Sequence, residues 1–129
     1  MLSRSNFLLV LSLIAAVSTA AMTWYGVEAS LYWYYSWWDI PTHILGGFAI
    51  GLWATAVAVR HHLSPLQAFL FVIGIALVVA FLWERWEYIE GLTKGEPGYW
   101  FDTIKDSIDD CIGAFCALCI ALRSLHTHG

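Results

Sequence analysis

Three stretches of this chain stay apolar for about twenty residues each, and that length constrains the fold more than any other feature. A helix rises ~1.5 Å per residue, so about 20 residues cross the ~30 Å of bilayer hydrocarbon. The first stretch covers residues 7–27 without a charge. The second covers residues 39–59, with His43 as the one ionisable group beyond Asp39 at its start, and the third residues 65–88, apolar from Leu66 to Trp83. Ser64-Pro65-Leu66-Gln67 opens the third with a capping-box arrangement, proline standing at the first helical position. The first, with Arg4 ahead of it and small residues at Ser18, Thr19 and Ala20, also has the look of a signal peptide, and is read as a retained helix. Composition agrees: 12% of residues are charged, against about a quarter in soluble domains. This excludes a disordered chain, a nucleic-acid partner and an ordinary soluble enzyme. The 129 residues allow one compact domain. The expected fold is all-α, a four-helix transmembrane bundle in a lipid bilayer.

The fourth helix is the unusual one. Cys111 to Leu122 supplies only 12 apolar residues, too few to span. Extension back to Asp102 gives a span over residues 102–123 but brings in Asp102, Asp106, Asp109 and Asp110. Asp109 and Asp110 then lie roughly 10 Å along the axis from Asp102. Some of these carboxylates must therefore sit below the lipid surface, facing protein or water. Cys111, Cys116 and Cys119 lack the spacing of a zinc site and read as small apolar packing groups.

Charge is distributed unevenly between the two ends of such a bundle. With four spans, the N-terminus, the Arg60-His61-His62 loop and the C-terminal tail share one side, carrying Arg4, Arg60 and Arg123 and no acid. All ten acids, from Glu28 to Asp110, fall toward the other side, accompanied by Arg85, Lys94 and Lys105. Basic loops favour the cytoplasm, so both termini are expected inside, in a plasma (inner) membrane. Residues 31–38 hold six aromatics in eight positions, the composition of an interfacial anchor. The Gly95-Glu96-Pro97-Gly98 stretch reads as a turn-rich loop. Glu90, Glu96, His61, His62, His126 and His128 read as solvated surface groups.

At 100° per residue the acids form stripes. Asp39 and His43 share a helix face that Gly46 and Gly47 continue inward. Glu84 and Glu87 share another, and Asp102, Asp106 and Asp109 a third that runs on to Gly113, with Asp110 at its edge and Lys105 beside it. Asp39 and Asp102 also suit helix N-caps. Glu84, Arg85 and Glu87, like Lys105 and Asp106, also suit structural ion pairs. Carboxylates converging at low dielectric need protons, cations or a metal in order to coexist. Oxygen ligands with one imidazole suit Mg, Mn, Zn or Fe rather than copper. The candidate divalent-metal ligands are Asp39, His43, Glu84, Glu87, Asp102, Asp106, Asp109 and Asp110, with Arg85 and Lys105 as candidate contacts for a substrate phosphate oxygen. No H-E-x-x-H, G-x-S-x-G or P-loop motif is present, so any catalysis would be driven by metal or by acid and base.

The motifs D-x-x-x-H (Asp39, His43), E-x-x-E (Glu84, Glu87) and W-F-D-T-x-x-D-x-x-x-D-x-x-G-A (Trp100 to Ala114) resemble those of the VanZ-like membrane proteins. The likeness is closer to their YjdF-like inner-membrane branch, and it covers about residues 38–115. Glu87 and Asp110 depart from VanZ itself, which typically has glutamine and asparagine there. The resemblance implies a multi-span envelope protein, a link to glycopeptide resistance in the named member, and Asp39, His43, Glu84, Glu87, Asp102, Asp106 and Asp110 as the matching positions; it implies no mechanism. The expected function is a small envelope protein holding a divalent cation and acting on a lipid or lipid-linked substrate. The alternatives are proton- or cation-coupled transport as a homo-oligomer, or an accessory subunit of a larger membrane complex.

Overall fold

The structure, a computed structural model, describes residues 3–91 and 97–126. Glu96, Lys94 and His128, together with the side chain of His126, lie outside the described residues. The chain forms α1 (Arg4–Glu28), α2 (Leu31–Tyr34), α3 (Asp39–Arg60), α4 (Pro65–Glu90) and α5 (Tyr99–His126). No strand occurs among the described residues. Helices α1, α3 and α4 are each long and apolar enough to cross a membrane. Helix α5 has the length, 28 residues, but its first half carries the four aspartates and Lys105. The expected four spans are therefore three by composition and a fourth by length alone.

Local chemistry accounts for the helix ends. Ser64 accepts from the Gln67 amide while the Gln67 side chain accepts from the Ser64 amide, closing the capping box with Pro65 in the first turn. Gly91, at φ 78°, takes the left-handed cap of α4, a conformation glycine adopts without strain. Two caps expected from the sequence are not formed. Trp38, without a side-chain cap bond, precedes α3, so Asp39 lies inside its first turn. Helix α5 begins at Tyr99, three residues early, because the Gly98 carbonyl already accepts from the Phe101 and Asp102 amides; Asp102 is a first-turn residue, not a cap. The aromatic block contains the short helix α2, which the sequence pattern had not signalled.

The long helices alternate in direction, so α3 and α5 run parallel and pack against each other. Side-chain size explains how closely. A Cβ added to Gly47 would fall 2.0 Å from the Asp110 carbonyl oxygen, and one on Gly113 would fall 2.0 Å from that of Ile44. Small residues permit this approach in lipid, where apolar burial itself gives little drive. Gly46, paired with Gly47 in the sequence reading, is less tightly packed: an added Cβ would lie 3.5 Å from Thr19 Cγ2 and 3.9 Å from Asp110 Oδ1. Below this contact Ala54, Ala58, Ala114 and Leu118 close the core with Ala68, Val72 and Ala76 of α4. Leu8, Leu52, Ala56, Ala117 and Ala121 close it toward α1. Arg4 binds the Ala121 carbonyl and Arg60 donates to Asn6 Oδ1 at 3.2 Å. The start of α1, the end of α3 and the last turns of α5 thus share one end, and the acids occupy the other.

Candidate functional site

The parallel contact between α3 and α5 decides which polar side chains meet. With Gly47 against Asp110 and Gly113 against Ile44, the first turns of α3 lie beside the second and third turns of α5. His43 stands at the centre, its side chain only 10% exposed. Its Nδ1 is 3.3 Å from Asp110 Oδ2. Its Nε2 is 3.4 Å from Asp39 Oδ1 and 3.8 Å from Asp106 Oδ2. Lys105 lies on the far side of the same carboxylates. Its ammonium donates to Asp39 Oδ2 at 3.3 Å, to Asp109 Oδ2 at 3.4 Å, and to Asp106 Oδ1. Asp39 and Asp106 therefore each turn one oxygen to His43 and the other to Lys105.

The charges in this centre do not balance. Four carboxylates face one ammonium and one imidazole, at low dielectric and with Asp106 and Asp109 buried. An ionised carboxylate only accepts, so Asp110 requires a proton on Nδ1. The remaining ring nitrogen then faces two further carboxylate oxygens. A lone pair there would be repelled by ionised carboxylates, so the gap between Nε2, Asp39 and Asp106 demands a proton, on the ring or on a carboxylate, or a cation. Ligand atoms of Asp39, His43 and Asp106 all lie within 4.8 Å of one another. Around an ion bound at ~2.1 Å, neighbouring donors stand about 3.0 to 3.4 Å apart; His43 Nε2 meets that spacing to Asp39, at 3.4 Å, and stands wider from Asp106, at 3.8 Å, so an ion would have to draw Asp106 inward.

The other expected site residues are placed differently. Glu84 is buried at 4% exposure, but its Oε2 accepts from Thr103 Oγ1 at 2.8 Å and it is not in the converging group. Its Oε1 is buried without a hydrogen-bond partner among the described residues. Glu87 is half-buried one turn further along α4, and Asp102 is exposed. The inward stripe of α5 runs Thr103, Asp106, Asp110, Gly113, and the expected stripe through Asp102 is rotated from it. Arg85 is exposed, with its guanidinium 5.9 Å from the Tyr88 ring centre, and does not join Lys105. Lys105 itself links three aspartates and is not a free clamp. Thr103 was missed by sequence reasoning, although its spacing of three from Asp106 and seven from Asp110 places it on their face.

A family model described as a predicted membrane protein (DUF2238) matches residues 2–127. No curated protein and no solved structure matches the chain.

Proposed function

The chain belongs to the DUF2238 family of predicted membrane proteins, and from its polar centre we propose that it is a cation-binding protein of the plasma membrane. A divalent ion is held by Asp39, His43 and Asp106, and the protein acts on a lipid or lipid-linked substrate. The carrying observation is that these three donors converge from two helices while Asp110 holds the opposite ring nitrogen of His43. A carboxylate on the second nitrogen orients a metal-bound histidine and raises its basicity. Lys105 is compatible with the ion because it uses the other oxygen of each aspartate. Three protein donors leave coordination positions open for a ligand, and oxygen-rich donors with one imidazole suit Mg, Mn, Zn or Fe.

In this reading all four long helices span, and the basic end with Arg4, Arg60 and Arg123 faces the cytoplasm. The motif order from Asp39 to Ala114 supports a place among the YjdF-like relatives of the VanZ group. A second reading rests on the same gap: a proton on Nε2 makes His43 an imidazolium within its aspartates, suited to proton coupling. The apolar packing of Ala54, Ala58, Ala114 and Leu118 below the centre offers that reading no polar continuation through one chain. Elemental mass spectrometry on detergent-purified protein separates the two. About one divalent ion per chain is expected, lost in Asp106→Ala. A wild-type protein that stays metal-free after dialysis against Mg, Mn, Zn and Fe(II) would overturn the cation reading and leave the imidazolium.

A further inference from the structure

We infer that the groove between α4 and α5 seats one hydrocarbon chain of a membrane lipid, selecting by chain length and not by head group. This rests on the lipid half of the function proposed above, and it does not require the cation. The pattern of side-chain sizes builds the groove. Thr103, Ser107 and Cys111 recur every four residues, so one face of α5 carries a row of small side chains. The next row around the helix is tall, with Ile104 59%, Ile108 54% and Ile112 46% exposed. Ile73 and Leu77 of α4 supply the other wall of a channel of about 620 Å³. At the basic end it runs down to Phe69 and Phe115, whose rings meet edge to face at 6.1 Å and form a stop. From Thr103 to that stop the helix axis advances ~18 Å.

Length, width and polarity identify the occupant. One leaflet of hydrocarbon is ~15 Å deep, half of the ~30 Å core, so a single acyl chain fits the channel end to end, whereas a spanning helix would overrun the stop. Volume over length leaves a cross-section of about 34 Å², and a helix ~10 Å across occupies about 80 Å². A second copy could therefore only lie across the mouth. The mouth is a strip of roughly 100 Å², far below the ~800 Å² per partner of a stable interface. The floor calls for no polar partner. Thr103 Oγ1 donates to Glu84 and Ser107 Oγ to the Thr103 carbonyl, each at 2.8 Å, so hydrocarbon covers them without stranding a donor. Walls on both sides and a closed end add dispersion contacts that a lipid on a smooth helix face lacks. Thr103 precedes Asp106 by about one turn of α5, so the head of a lipid seated here stays at the level of the polar centre or above it.

Native mass spectrometry of the full chain in detergent, titrated with single-chain phospholipids, tests this. With a choline head throughout, one palmitoyl lipid is expected to bind at least tenfold more tightly than a decanoyl one. A behenoyl chain, longer than the channel, should bind no more tightly than palmitoyl. With a palmitoyl chain throughout, choline and glycerol heads should bind alike. Ser107→Phe and Ile73→Trp fill the channel, and each should weaken palmitoyl binding at least tenfold. Leu70→Trp, on a lipid-facing side of α4 outside the channel, should leave it unchanged. Circular dichroism confirms that each variant is folded, and metal content is read on the same samples. Equal binding of decanoyl and palmitoyl lipids, affinity that follows the head group, or undiminished binding in both filled variants would overturn the inference. So would a dimer that both filled variants dissociate, since a second copy would then be the occupant. Loss of chain-length selectivity with metal intact removes this inference alone; absence of metal with that selectivity intact removes only the cation.

Discussion

Replacement of Gly47 by alanine is the sharpest test of how α3 and α5 are joined. The new methyl group would lie 2.0 Å from the Asp110 carbonyl oxygen and 2.6 Å from the Asp110 carbonyl carbon and Cα. All three obstacles are backbone atoms, so no rotamer change relieves them. The helices must separate until that gap reaches at least 3.4 Å, the onset of ordinary contact. Overpacking typically costs 1–3 kcal/mol, and a backbone obstacle belongs at the upper end, about 3 kcal/mol. Gly74 provides the control: it is also helical, and an added Cβ there meets nothing within 4 Å. Its alanine variant should match wild type or gain up to ~1 kcal/mol from helix propensity. Unfolding in mixed micelles, followed by circular dichroism against rising denaturing detergent, compares the three proteins. Gly47→Ala should unfold well before wild type and Gly74→Ala no earlier than wild type. If Gly47→Ala unfolds with wild type, the close α3–α5 contact is wrong, and with it the placement of Asp110 beside His43.

Three further outcomes follow from the same geometry. Lys105→Met removes the ammonium shared by Asp39, Asp106 and Asp109; with Lys105 30% exposed, a loss of about 2 kcal/mol is expected in the same unfolding assay. Adding Asp109→Asn should recover part of it, and strict additivity would show that the two groups do not interact. Thr103→Val strips buried Glu84 of its hydrogen-bond donor and should cost about 1–3 kcal/mol, whereas Thr103→Ser should behave as wild type. Ser64→Ala opens the capping box of α4 at a cost of about 1 kcal/mol; hydrogen exchange confined to faster loss at residues 64–68 is the expected signature, and unchanged exchange there would contradict it.

The amino-acid sequence by itself determined much of what depends on neighbours along the chain, though not the short helix α2 or the early start of α5 at Tyr99. Apolar length called for membrane-crossing helices, Ser64 through Gln67 set the start of α4, and the segregation of acids from Arg4, Arg60 and Arg123 set a polar end and a basic end. The pairing of Asp39 with His43 was legible as well, because four residues restore the same face of a helix. Helical periodicity supplies angles between side chains but no origin for them, and only the packing of α3 against α5 provides that origin. Gly47 admits the backbone of α5 at Asp110, and Gly113 that of α3 at Ile44, at one rotation. That rotation turns Asp106 and Asp110 toward His43, leaves Asp102 outside, and carries Lys105 onto Asp39, 66 positions away in the chain. The Thr103–Glu84 bond spans two helices in the same way. Such contacts rest on backbone approach between distant segments, and no local pattern in either segment encodes the rotation that makes them.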